Sequence, residues 1–189
     1  MKNGILILIG ILISLTIIFI PSISSYNSLI ELEQQVKKAS SNIDTQLQRR
    51  SDLIPNLVNT VKGYASQEKD IYTEISDART KLSDATNITD QANADTELST
   101  ALSRLLVVVE NYPELKSNEN FQDLSIQLEG TENRIAVARQ DYNTAVTNYN
   151  TKLRRFPTNL IANIFGFQEK QLYEASDGAT EVPSVDFAQ

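Results

Sequence analysis

"RRSDLIPNLV", residues 49–58, decides how the long helical stretch of this chain is divided. Arg49 and Arg50 suit the negative end of a helix dipole, and Asp52 is a good N-cap. Pro55 would then fall in a first turn, where its missing N–H costs no hydrogen bond. Against a boundary, the apolar residues pass through the stretch nearly in phase, and no Gly offers a reversal. The local signals together favour a kink or break near Ser51.

Working outward, Leu29, Leu32, Val36, Ala39, Ile43 and Leu47 precede the stretch at spacings of three and four. That spacing describes an amphipathic helix. Beyond it the pattern resumes at Ile54, Leu57, Val58, Val61, Ala65, Ile71, Ile75, Ala78 and Leu82. A second region, Leu98 to Val109, is apolar enough to be buried on most sides. It stops at "ENYPEL", because the residue before Pro113 is pushed out of the helical region.

The strongest periodicity comes next. Phe121, Leu124, Leu128, Thr131, Ile135, Ala138, Tyr142, Ala145 and Tyr149 alternate at three and four, which is a heptad seam. Ser117 or Asn118 can cap its start, Lys152, Arg154 and Arg155 suit its end, and Pro157 follows the stop. Tyr142 and Tyr149 read as core rings whose hydroxyls reach the edge. No useful length alternates at period two. The expected fold is all-α: an elongated antiparallel four-helix bundle over residues 26–166, its long helix kinked or broken near Pro55.

Residues 1–25 form a short N-terminus and a single transmembrane anchor. From Gly4 to Ile23 there is no charge, and about twenty residues at 1.5 Å each cross the apolar part of a bilayer. A cleaved signal peptide is the alternative, with Ser22 and Ser24 as small residues before a cut, but the apolar run is longer than such segments usually are. Gly10 and Ser14 form a small-xxx-small pair on which two anchors can pack. Lys2 stands on one side and Lys37 and Lys38 on the other, a slight lean towards a cytoplasmic bundle.

Composition removes several classes of chemistry. The chain has no Cys, His or Trp, so imidazole and thiolate metal sites and Ser-His-Asp or Cys-His catalysis are excluded. A net charge of −7 argues against nucleic acid as a partner. "DATNITDQANADTE", residues 84–97, gathers Asp84, Asp90, Asp95 and Glu97 but lacks the Gly and the spacing of a calcium loop, so it reads as a polar inter-helix loop. "NIT" at Asn87 is a weak glycosylation triplet. No catalytic, cofactor or metal residues are assigned. An enzyme built on carboxylates such as Glu110, Glu129 and Glu132 is a remote alternative.

"TNLIANIFGF", residues 158–167, is the most suggestive piece. Thr158 can cap a short helix and Gly166 can end it. Leu160, Ile161, Ile164, Phe165 and Phe167 either close the open end of the bundle or form a contact patch for a partner or the membrane surface. Residues 167–189 read as an extended, mobile tail. Within it, Val185 and Phe187 can add as a strand to a partner's sheet.

Several stretches resemble the LemA family of bacterial membrane proteins. They are "YNSLIELEQQV", "IDTQLQRRSDLIPNLVNTVKGYASQEK", "ALSRLLVVVENYPELKSNENFQDLSIQLEGTENRIAVARQDYNTAVTNYN", "FPTNLIANIFGFQEKQLYEA" and the closing "VDF". Ser51 departs from the pattern, since the family more often has Ala there. The resemblance implies a single-pass protein of the bacterial cell membrane, with a helical bundle usually drawn on the cytoplasmic side. It implies no agreed catalytic residues. Some relatives are associated with membrane compartments, others with membrane proteases. The reading is of a membrane-anchored scaffold: the bilayer meets residues 4–23, an unidentified membrane-proximal protein is the partner, and homo-oligomers that shape membrane are the alternative.

Overall fold

A computed structural model describes the backbone of residues 2–174, and side chains at residue 10 and from residue 21 to 174. Six helices follow one another: α1 (Lys2–Lys62), α2 (Lys69–Asp84), α3 (Ile88–Val109), α4 (Pro113–Lys116), α5 (Glu119–Arg154) and α6 (Thr158–Phe165). No strand occurs among the described residues, so the all-α expectation holds. Among them, too, no helix is long and apolar enough to cross a membrane. The side chains of most of the expected anchor lie outside the described residues.

Of the kink or break expected near Ser51, the break is absent. α1 is helical through Ser51, Asp52 and Pro55 and ends only at Lys62. Asp52 caps nothing there; its carboxylate accepts a hydrogen bond from Gln48 Nε2, one turn earlier, at 2.8 Å. Pro55 inside a helix costs about 3 kcal/mol. The burial of Ile54, Leu57, Val58 and Val61 around it outweighs that. The true reversal lies at Gly63–Glu68. Val61's carbonyl accepts from both Tyr64 and Ala65 N–H groups, and the Tyr72 hydroxyl donates to the Ala65 carbonyl at 2.7 Å. A pattern running in phase from Ile54 to Leu82 hides this turn, because Ala65 is itself buried.

Residues 84–97 are likewise not a loop. α3 begins at Ile88, with Asn87 as N-cap accepting from Asp90 N–H at 2.9 Å. The polar run thus supplies the first turns of a helix, and its buried side is made by Ala92, Ala94 and Asp95.

The chain divides into two compact units, the first made of the chain up to Ser41 with Asp141–Lys170, the second of Asn42–Gln140 with the chain from Gln171. α1 and α5 contribute residues to both. In the second unit one core joins Ile54, Leu57 and Val61 of α1, Ile71, Tyr72 and Ile75 of α2, Leu98, Leu102 and Leu105 of α3, Leu115 of α4, and Phe121 and Leu128 of α5. In the first, Leu29 and Val36 of α1 and Tyr142, Val146 and Tyr149 of α5 are buried. The heptad seam of α5 is legible throughout, with Leu124 and Ala145 only half-buried.

Asn118 holds the start of α5, its Oδ1 accepting from Phe121 N–H at 3.0 Å. Asn118→Ala leaves that donor without its partner and costs about 1 kcal/mol. Chemical denaturation of the two proteins side by side measures it.

Candidate functional site

A cluster of charge inside the second unit is the first feature. Arg50 and Asp95 are both 0% exposed. The seam of α1 runs Ile43, Leu47, Arg50, Ile54, Leu57, Val61 at spacings of four and three, so Arg50 occupies a core position. On α3, Asp95 likewise lies between buried Ala92 and Leu98. The two meet as an ion pair. Glu132 of α5 pairs with the same guanidinium, and Arg139 of α5 pairs with Asp95.

Neutral groups complete the cluster. Arg50 Nη1 donates to Ser99 Oγ at 3.0 Å. The Tyr173 hydroxyl donates to Asp95 Oδ2 at 2.9 Å, and Arg139 lies over the Tyr173 ring, 5.3 Å from its centroid. Desolvation lowers the pKa of Arg50 from the usual guanidinium value, opposed by the neighbouring Glu132 carboxylate. The Nη groups of Arg50 and Arg139 serve other members of the set, while the buried Nε of each has no hydrogen-bond partner. The arrangement ties three helices and the chain near Tyr173 in register. Arg50 was not legible as part of this cluster from its neighbours alone; the signal was a charge falling on an otherwise apolar seam.

Of the three carboxylates of the enzyme alternative, Glu129 and Glu132 share a groove and Glu110 is not among its lining residues. Glu132 is held by Arg50, and Glu110 pairs with Lys116 at 2.5 Å. Glu129 and Glu132 line a groove of about 400 Å³ between α3 and α5, together with Leu102, Leu106 and Leu128. Leu106, Val107 and Ile126 are exposed on these helices, Val107 by 69% and Ile126 by 67%. Among the described residues no group of three or more acidic side chains is placed to hold a metal ion.

The second feature is α6, in the first unit. Its inward side is made by small residues, Thr158 and Ala162, while Leu160, Ile164 and Phe165 point to solvent. Ile161 and Phe167 are half-buried. Thr158 opens the helix rather than capping it, since Pro157 takes the N-cap position. Gly166 ends it with φ at 74°, a left-handed conformation that Gly adopts at least cost. Of the two readings of this segment, closure of a bundle end would bury the large side chains; Leu160, Ile164 and Phe165 stay exposed, while Ile161 and Phe167 are half-buried.

The described part of the segment after α6, up to residue 174, is held at several points. In the first unit the Tyr149 hydroxyl donates to the Gln168 carbonyl at 2.9 Å. Asn150 brackets Lys170, donating to its carbonyl at 2.8 Å and accepting from its N–H at 3.0 Å. In the second unit Tyr173 is 6% exposed. Val185 and Phe187 lie outside the described residues.

Four tyrosines, Tyr72, Tyr142, Tyr149 and Tyr173, have pKa values raised above their ordinary 10.0, chiefly by burial. The folded chain thus holds phenol protons that the unfolded chain releases near pH 10. Their contribution to stability is intact below that pH and is lost as pH climbs through the raised folded values. Helical circular dichroism titrated from neutral into strong alkali falls above pH 10, and Tyr149→Phe reduces the slope of that loss.

The chain is 29% identical over 175 residues to magnetosome protein MamQ 2 of Paramagnetospirillum magneticum, a match covering 79% of this chain and 64% of that protein. It is 25% identical to magnetosome protein MamQ of Magnetospirillum gryphiswaldense, covering 78% and 64%. Protein LemA of Metamycoplasma hominis is 23% identical over 167 residues, 88% of this chain and 76% of that one. The chain thus spans 64% of the length of the magnetosome relatives it matches. A family model described as LemA family matches residues 39–187, most of the chain, and the protein belongs to the LemA family.

Proposed function

We propose that the protein is a membrane-anchored interaction module whose helical surface, rather than a reaction centre, is its working part. Residues 4–23 are its single bilayer-spanning anchor, and the helices beyond them, read as an antiparallel four-helix arrangement, stand on the cytoplasmic side of a bacterial cell membrane. The observation that carries this reading is a division of labour in the second unit. Polar groups able to do chemistry are spent on one another around Arg50 and Asp95, whereas Leu106, Val107 and Ile126 are presented to solvent. Exposed large apolar side chains beside a groove are the usual anchors of a partner helix. The partner is a membrane-proximal protein. The magnetosome-protein names of the relatives support a membrane setting.

Photo-crosslinking from Leu106 and Ile126 in native membranes tests the reading. A recurrent adduct above an anchor-only control supports it, and its absence at both positions sinks it. An adduct of twice the chain's mass would instead favour self-assembly through the α5 seam and the Gly10 and Ser14 pair. Side of membrane is read separately, because the chain has no cysteine. Labelling of Asn3→Cys but not Ser184→Cys by an impermeant maleimide on intact cells places the bundle inside.

A further inference from the structure

The two faces of α6 are inverted relative to a helix that folds for solubility. Small Thr158 and Ala162 pack inward, while Phe156 is 80% exposed, Leu160 52%, Ile164 74% and Phe165 60%. Large apolar side chains turned outward on one short helix and just before it make a patch of the kind that water alone does not explain. Three further observations say what covers it.

The first is position. Phe165 and Phe167 pack on Tyr26, with ring centroids 4.8 and 5.7 Å away. Tyr26 stands three residues past Ile23, the last residue of the expected anchor, on the same continuous helix α1. Three residues rise only about 4.5 Å, so these rings sit at the level where a bilayer's apolar core gives way to headgroups. Aromatic side chains concentrate at that depth. The second is charge. From Phe156 to Gln168 there is no Asp or Glu, and exposed Arg155 stands immediately before. Glu33 is engaged by Lys170 at 2.9 Å, and Glu169 by Arg154. The third is the cap at Gly166, which turns the chain back after one short helix and returns it towards Tyr149.

We infer that α6 lies in the headgroup boundary of the same membrane that holds α1, with Phe156, Leu160, Ile164 and Phe165 inserted and Arg155 at anionic headgroups. The occupant of the patch is lipid. The inference rests on the anchor reading of residues 4–23 but not on which protein the second unit binds.

The native chain contains no Trp, so Phe165→Trp places a single reporter in the patch. The full-length variant is reconstituted in phosphatidylcholine and phosphatidylglycerol vesicles, with lipids brominated near the headgroup or deep in the acyl chain. The expected result is severalfold quenching by the shallow bromines, weaker quenching by the deep ones, and protection from aqueous iodide. Val107→Trp, exposed on the second unit, serves as the solvent reference. Adding Leu160→Ser and Ile164→Ser removes the shallow quenching while leaving helical circular dichroism unchanged, because neither side chain is buried.

Two results overturn the proposal while leaving the anchor intact. One is a reporter that floats with the vesicles yet is quenched by iodide like the reference. The other is a reporter shielded from both bromine and iodide, which would mean that protein, a second copy or a partner, covers the patch. A chain that does not float with vesicles at all refutes the anchor, and the lipid contact falls with it.

Discussion

An Asp95→Ala chain loses about 3–5 kcal/mol of stability, the range found when one partner of a buried ion pair is removed. The size follows from what is left behind. Asp95 is the carboxylate shared by Arg50 and Arg139, and it also receives the Tyr173 hydroxyl. Without it, a wholly buried guanidinium keeps only half-exposed Glu132 as a counter-charge. Arg50→Met costs less, because Asp95 then still has Arg139 and Tyr173, and the new side chain suits a seam position. Adding Arg50→Met to Asp95→Ala recovers part of the loss, since it removes the orphaned charge. Denaturation of the full chain in detergent, run as a double-mutant cycle, reads all three values. The exposed pair Lys81–Glu97 provides the scale for an ordinary surface bridge, about 0–1 kcal/mol. An Asp95→Ala cost no larger than that would remove the cluster from any account of what holds the helices in register.

The same cluster explains which parts of the molecule were legible in its sequence. Helical content, the seam of α5, the cap at Asn118 and the stop at Gly166 all rest on local signals, and local physics suffices for them. The stretch at residues 49–58 misleads because its local signals are real but outweighed. Arg50, Asp52 and Pro55 each favour an end, yet Arg50 has a buried partner 45 residues away in sequence on α3, and no local pattern announces it. What could have found it is phase: Arg50 on α1 and Asp95 on α3 are opposite charges at positions where each seam should be apolar. The run at residues 84–97 misleads in the same way, since a polar composition conceals a helix whose buried stripe is Ala, Ala, Asp. Gly63 was visible in the sequence, but the continuous apolar spacing on both sides of it masked the turn. The candidate contact residues of α6 were legible as a set, whereas the direction they face was not. Spacing identifies a helical face without saying whether protein, lipid or water lies against it.

Tyr173 carries the second large effect, and it tests whether the segment after α6 is part of the fold. Tyr173→Ala is expected to cost roughly 3–5 kcal/mol, in line with removing a large buried ring. The ring is 6% exposed, stacks under Arg139, and its hydroxyl is one of the groups that satisfy Asp95. Tyr173→Phe separates these contributions. It keeps the ring and the cation above it but strips one hydrogen bond from a buried carboxylate, a loss of about 1–3 kcal/mol. A chain ending after Lys170 behaves like Tyr173→Ala if the ring is what matters. Denaturation midpoints rank the three, and backbone hydrogen exchange in α3 around Asp95 reports whether the loss is felt where the hydroxyl lands. If all three variants match the native chain, the segment is an idle tail and Asp95 is held by its arginines alone. If they fall in the expected order, the last described residues lock a charge that α1, α3 and α5 share, and removing them loosens the surface on which Leu106 and Ile126 are displayed.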